Sequence, residues 1–438
     1  MGDASAQLFA GVACWKGSGA MKDEAEAFQW FLLSAGQGNA IAQYRLGMAY
    51  CNWDGGPKKP SEGVKWLRLA SERGFPPAQL ALGQILRDGV DAPQDLAETK
   101  RLFRLGAERG EPMAQYQLGV TLRKESPTPQ NQAESLKWIE KAAESGIADA
   151  QYLAGVMCYV GEGVSQNMAK AIAWFQLAMD QGRVDAHRKI GEFLMKGVGF
   201  AQNIDAGINL FRWAAEHGSK GAQYEMGHFC LDDRYGPPNP EEAIKWLKMA
   251  AEQNEPRSQN LLGNIYFNGK GAPQDFHQAV HWRRQAAENG VAESMTCVAL
   301  MYFSGRGLPA NVGGALKWYR KAADLGEALA QRFMGFSFYL GLQTPRNAPE
   351  AFSWLEKSAE RGFVEAQFYL GMFSAINEDG LRNAKAARKW LIAAANQGHE
   401  EAVSYSKVVD FNSPNLIEEL IAETRKRNFP VREKKKLQ

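Results

Sequence analysis

The sequence predicts an all-α fold: an α/α superhelical solenoid of about eleven 36-residue helix-turn-helix repeats, closed by a C-terminal capping helix. Three observations predict it. Gly38, Gly74, Gly110, Gly146, Gly182 and Gly218 stand 36 residues apart, and the series runs on through Asn254 to Gly290, Gly326, Gly362 and Gly398. A second series keeps the same step, from Gly11, Gly47, Gly83 and Gly119 through Gly155, Gly191, Gly227 and Gly263 to Ala299, Gly335 and Gly371. No insertion or deletion breaks the register. A fixed period in this range marks units that bury their apolar faces only against their neighbours.

Within each unit the apolar spacing gives two helices. In residues 147–182, Ala150, Leu153, Ala154, Met157 and Cys158 follow a three-four spacing and define helix A. Gly161-Glu162-Gly163 ends it. Asn167 then opens helix B, which carries Ala171, Trp174, Phe175, Ala178 and Met179 and closes at Gly182.

The start of helix B is marked in ten of the eleven units. Asp23, Asp95, Asn131, Asn167, Asn203, Asn239, Asp275, Asn311, Asn347 and Asn383 share the N-cap column, with Lys59 the exception. Asn and Asp accept hydrogen bonds from the free N–H groups of a first turn. The first glycine series suits a left-handed position after helix B, and Asn254 is the residue next most tolerant of that conformation. The second series lies inside helix A, where glycine costs about 1 kcal/mol relative to alanine. A cost repeated in each unit implies close approach of helices A and B. A tryptophan column (Trp30, Trp66, Trp138, Trp174, Trp246, Trp282, Trp318, Trp354, Trp390) is followed by alanine pairs such as Ala142-Ala143 and Ala322-Ala323, so large and small residues alternate. Trp174 and Trp318 are therefore expected in a buried interface.

These residues resemble the Sel1-like repeat, a relative of the tetratricopeptide repeat. The match is carried by Ala148-Asp149-Ala150-Gln151, Gly155, Gly161-Glu162-Gly163-Val164, Ala171, Trp174, Ala178 and Gly182, and again by Ala328, Ala330-Gln331 and Met334-Gly335. The resemblance implies a bacterial adaptor that assembles protein complexes. One branch of that family staples each repeat with paired cysteines, and such pairs do not recur here. The organisation expected is a repeat solenoid over 4–409, a capping helix within 410–427 and a basic disordered tail over 428–438. In the capping helix, Ser413 or Asn412 is the expected N-cap and Pro414 the first residue. Leu416, Ile417, Leu420 and Ile421 form its apolar face.

Composition narrows the function. The formal charge of the 438 residues is +2, but Arg425–Gln438 holds seven basic residues and one acidic residue, leaving the body at −4. That balance does not call for nucleic acid. Cys14, Cys51, Cys158, Cys230 and Cys297 are scattered and odd in number, which points to reduced thiols and a cytoplasmic setting. No signal peptide or transmembrane run is visible.

No catalytic residue, cofactor or metal is expected. His277 and His281 stand four apart, but no third ligand or H-E-x-x-H pattern accompanies them. Gly269-Lys270-Gly271 and Gly305-Arg306-Gly307 join two helices, which is the wrong context for a phosphate loop. By analogy with the tetratricopeptide fold, helix A lines the concave face. Its open stripe holds Tyr44, Arg87, Tyr116, Arg123 and Tyr152, beside Lys124, in the first half. In the second half it holds His228, Phe267, Leu300, Phe303, Phe336 and Tyr339. Arginine and aromatic residues are the usual anchors of interfaces. The partner-binding set is therefore Arg87, Arg123, His228, Phe267, Phe303, Phe336 and Tyr339. The function expected is a non-enzymatic scaffold that holds a peptide or domain of a protein partner. The alternatives are a pocket between distant repeats serving a small ligand or an enzyme, and a membrane- or nucleic-acid-associated adaptor acting through the basic tail.

Overall fold

The computed structural model describes residues 2–18, 21–52, 57–125, 128–376 and 382–427, and among these every regular element is helical. The chain divides into two compact units, Met1–His217 and Gly218–Gln438. The first holds six A/B pairs, from Ala4–Lys16 with Glu24–Gly36 to Val184–Lys196 with Ile204–Glu216. The second holds five, from Lys220–Phe229 with Pro240–Glu252 to Val364–Ile376 with Ala384–Asn396, followed by Glu400–Ser406 and Leu416–Lys426. Inside each unit, helix A packs on its own helix B and on the preceding helix B. Eleven repeats therefore form an all-α solenoid fold.

The glycines of helix A have a specific reason. A Cβ on Gly83 would lie 2.6 Å from the ring of Phe103, and one on Gly155 would lie 2.7 Å from the ring of Phe175. Gly227 and Gly335 face Leu247 and Leu355 in the same way. The crowding residue is the one immediately after the tryptophan column. Its members Phe31, Leu67, Phe103, Ile139, Phe175, Leu247, Tyr319, Leu355 and Leu391 are almost fully buried.

Two tryptophans, Trp174 and Trp318, are a correction to the sequence reading. Trp174 and Trp318 are only half-buried, whereas Phe175 and Tyr319 beside them are at 0% and 1% exposure. Trp30, Trp66 and Trp246 are half-buried as well, whereas Trp138, Trp282, Trp354 and Trp390 are buried in the core. Lys321 sits 4.5 Å over Trp318, and Trp246 donates to Glu242 at 3.3 Å.

The N-caps hold in ten of eleven repeats by position and in nine by side chain. Asn167, Asn203, Asn311 and Asn383 each accept from the third residue on, at 2.8–3.0 Å. Lys59 makes no such bond. In the fourth repeat helix B starts a turn early, at Pro129, because Thr128 accepts from the Asn131 N–H and proline presets the first turn. Asn254 takes φ 56°, the left-handed value its column requires.

A buried amide joint ties consecutive repeats. Gln151 donates to the Ala143 carbonyl of the preceding helix B (3.2 Å) and accepts from Gln181, the C-cap of its own helix B (2.6 Å). Gln367 repeats this with Ala359 and Gln397, and Gln259 with Ala251 and Asn289. Where the C-cap residue is Arg109 or Arg361, its guanidinium donates instead to the carbonyl of Gly74 or Gly326. In the sixth repeat, histidines fill both positions and both stack on Trp213, His187 at 3.6 Å and His217 at 3.8 Å.

At the C-terminal end, Leu416–Lys426 lays Leu416 and Leu420 into the core beside Phe368, Tyr405 and Phe411. The segment before it is turned rather than helical. Ser413 accepts from the Asn415 N–H and donates to Glu419, so the helix begins at Leu416, two residues later than the proline predicts. Residues 428–438, the expected tail, lie outside the described residues.

Candidate functional site

The A-helix positions three before, one after and four after the inner glycine share one face. In the first unit this face is consumed by bridges between repeats. Arg87 donates to Gln117 of the next helix A at 2.8 Å and pairs with Asp88 at 2.8 Å. Arg123 grips Glu162 of the following repeat through Nε and Nη2, at 2.8 Å each. That carboxylate, by accepting hydrogen bonds, holds the Arg123 guanidinium protonated above its usual range. Tyr44 packs at 5.4 Å from Phe75, and Tyr152 at 5.5 Å from Phe175 with Arg183 over its ring. Sequence reasoning places both arginines on the face, and the structure adds that each is already engaged.

The second unit differs. Phe267, Leu300, Phe303 and Phe336 are half-buried, each with part of its side chain open to solvent. His228 is half-buried at the end of its helix, 6.5 Å from Tyr224. Phe336 meets Tyr369 edge-on at 4.4 Å. Tyr339 is not on the open face. It is 4% exposed and stacked 3.7 Å from Phe373 at an interplanar angle of 5°, because the eleventh helix A is apolar on nearly every side. It supports the aromatic stripe from behind. The structure thus brings Phe336 and Tyr339 into one cluster with Tyr369 and Phe373. Phe267 belongs to another group, 5.5 Å from Phe276.

The sequence reading missed Arg283. It occupies the core column after Trp282, where every other repeat carries an aromatic or aliphatic residue. The residue is 6% exposed, and its guanidinium stands 4.4 Å over the Phe267 ring and donates to Asn264 at 2.9 Å. Burial favours its neutral form, so its pKa is lowered. The signal was available as a break in the column, but the column was recognised only through its tryptophan.

The remaining candidates have ordinary surroundings. Asp275 accepts from the backbone N–H groups of His277 and Gln278, and His281 lies 4.8 Å from Trp282. Among the described residues no cluster of three metal-ligating side chains occurs, and no helix is long and apolar enough to cross a membrane. A cleft of ≈ 440 Å³ opens at the helix-B ends of the second unit, lined by Asp324, Gln331, Trp354, Lys357 and Arg361, none of them a stripe residue.

Comparison with known proteins fits this architecture. The Sel1 repeat profile matches eleven consecutive segments, beginning at 4–39 and ending at 364–399. A solved structure of c5321, described as a protective antigen of uropathogenic Escherichia coli strains with an SLR fold, is 27% identical. The alignment covers 97% of this chain and 91% of that one with a TM-score of 0.68. A Sel1 repeat protein from Oxalobacter formigenes is 29% identical over 70% of this chain and 89% of its own, with a TM-score of 0.52. No curated protein sequence matches. With its repeats matched from residue 4 to residue 399, the chain belongs to the Sel1 repeat family, whose members generally mediate protein–protein interaction.

Proposed function

We propose that this chain is a non-enzymatic scaffold that holds an apolar or aromatic peptide segment of a protein partner on the helix-A face of its second unit. One observation carries the reading: Phe267, Phe303 and Phe336 are half-open at related positions of three successive helices A. Packed layers of this kind are spaced by roughly 10 Å. An extended peptide covers that in about three residues, so anchors at i and i+3 match the stripe. His228 extends it toward the start of the unit, and Tyr339 fixes its floor. Arg87 and Arg123 stand outside this primary site, because an acidic segment reaching Arg123 must first displace Glu162.

The test is a displayed library of 12-residue peptides panned against the full chain. Wild type should enrich peptides with apolar residues spaced by three. Phe303→Ala/Phe336→Ala, with an unchanged far-ultraviolet spectrum, should lose them by tenfold or more. Full retention by the double mutant would remove the stripe as the binding surface.

A further inference from the structure

We propose that Arg283 is the floor of a carboxylate-binding site, and that the partner segment held on the second unit carries an Asp or Glu side chain that docks there. The inference rests on the scaffold reading and names the chemistry of one anchor within it.

The argument begins with the column that Arg283 interrupts. In the neighbouring repeats Leu247, Tyr319 and Leu355 fill this position and are at most 1% exposed. An arginine stem enters the same space only because Gly263 offers no Cβ, which would collide with the Arg283 side chain. The stem passes from helix B toward the helix-A face. The head donates to Asn264 and lies over the Phe267 ring, two residues that stand one and four after that glycine on the open stripe.

The head is poorly satisfied there. A guanidinium carries five N–H donors. Its hydrogen-bond partners are the Asn264 amide oxygen and, at 3.9 Å, the Met301 sulfur, a weak acceptor, while Nε is buried with none. Among the described residues no carboxylate pairs with it. Glu293 is near enough to be felt electrostatically, but its carboxylate meets Asn260 at 3.4 Å. A buried charge without a counter-ion is unfavourable, so a column that accepts leucine elsewhere has no packing reason to hold arginine. A ligand carboxylate supplies what is missing: two oxygens matched to the fork.

The surroundings select the anion. Phe267 borders the site on the stripe and favours an apolar neighbour on the ligand. Glu293 lowers the local potential, which suits a singly charged carboxylate better than a phosphate dianion. A peptide with an acidic residue beside an apolar anchor meets both conditions.

Asn264→Asp provides a direct test. It is isosteric and places a carboxylate where an oxygen already accepts from Arg283 at 2.9 Å. The internal acid should raise the thermal midpoint and occupy the fork. Wild type panned against the 12-residue library should enrich acidic residues next to apolar ones. Asn264→Asp and Arg283→Leu should both lose that acidic preference, with binding of the enriched peptides falling at least about tenfold. As a check independent of mutation, wild type should bind 3-phenylpropionate and show no saturable binding of 3-phenylpropionamide or inorganic phosphate by titration NMR. Equal binding of acid and amide, or an acidic preference that survives Asn264→Asp, overturns the inference. Enrichment of apolar peptides with no acidic preference, still sensitive to Phe303→Ala/Phe336→Ala, also overturns it while leaving the scaffold reading in place. Enrichment of no peptide removes both.

Discussion

Glycine inside helix A is favourable here despite its poor propensity, and substitution measures by how much. Gly83→Ala gains about 1 kcal/mol of helix propensity, but its methyl meets the buried Phe103 ring. Overpacking of this kind costs about 1–3 kcal/mol, so a lower denaturation midpoint is expected. The same geometry ranks the neighbouring columns. Phe175→Ala should cost about 3–5 kcal/mol, and Trp174→Ala clearly less, because Phe175 is fully enclosed and Trp174 is half-open. Chemical denaturation of the two mutants under one buffer decides the order. Cys51 offers a third residue-level check. Burial, followed by the charge of Asp91, pushes its thiol up to about 11. A raised pKa leaves little thiolate at pH 8, so iodoacetamide should spare Cys51 in the folded protein and modify it in denaturant. Mass mapping after brief labelling reads this out. At this scale the sequence showed which residues recur, but not which are enclosed. Tyr339 and Phe336 stand three residues apart on one helix, and only the apolar eleventh helix A separates buried from half-open.

Helices are specified by short local signals, which is why their boundaries were readable. Asn311 shows what one such signal does. It accepts from Gly314 at 2.8 Å, at the start of a helix whose first turn is Val312-Gly313-Gly314. With two glycines in that turn, the cap compensates weak propensity, and Asn311→Ala should cost about 1 kcal/mol. Local amide exchange over 312–318 should accelerate accordingly. The boundary that was misread is equally local. Asn131 fits the cap column, yet Thr128-Pro129 forms a stronger start three residues earlier. The C-terminal helix was misread for the same kind of reason, since Ser413 uses its hydroxyl on Glu419 and Asn415 in a turn.

For the whole chain, eleven copies of one local message made the fold legible, whereas the site arises where copies differ. A column average hides Arg283, and no periodicity reveals that Arg123 is held by Glu162 39 residues on. The compactness of Met1–His217 and of Gly218–Gln438 leads to a further expectation. Each segment expressed alone should give a helical far-ultraviolet spectrum and a cooperative melt, because repeats are stabilised by near neighbours. A segment that is unfolded by both measures would show that its stability depends on the other.

The amide joints bear on how such a chain can change length. In each joint the acceptor taken from the preceding repeat is a main-chain carbonyl, present whatever the residue there. The side chains that must agree, Gln151 with Gln181 or Gln367 with Gln397, lie within a single repeat. A genetic crossover between repeats therefore moves both halves of a matched pair together, while one between helix A and helix B separates them. Duplication in whole-repeat steps would keep each matched pair intact and the 36-residue step unbroken, as it is in this sequence.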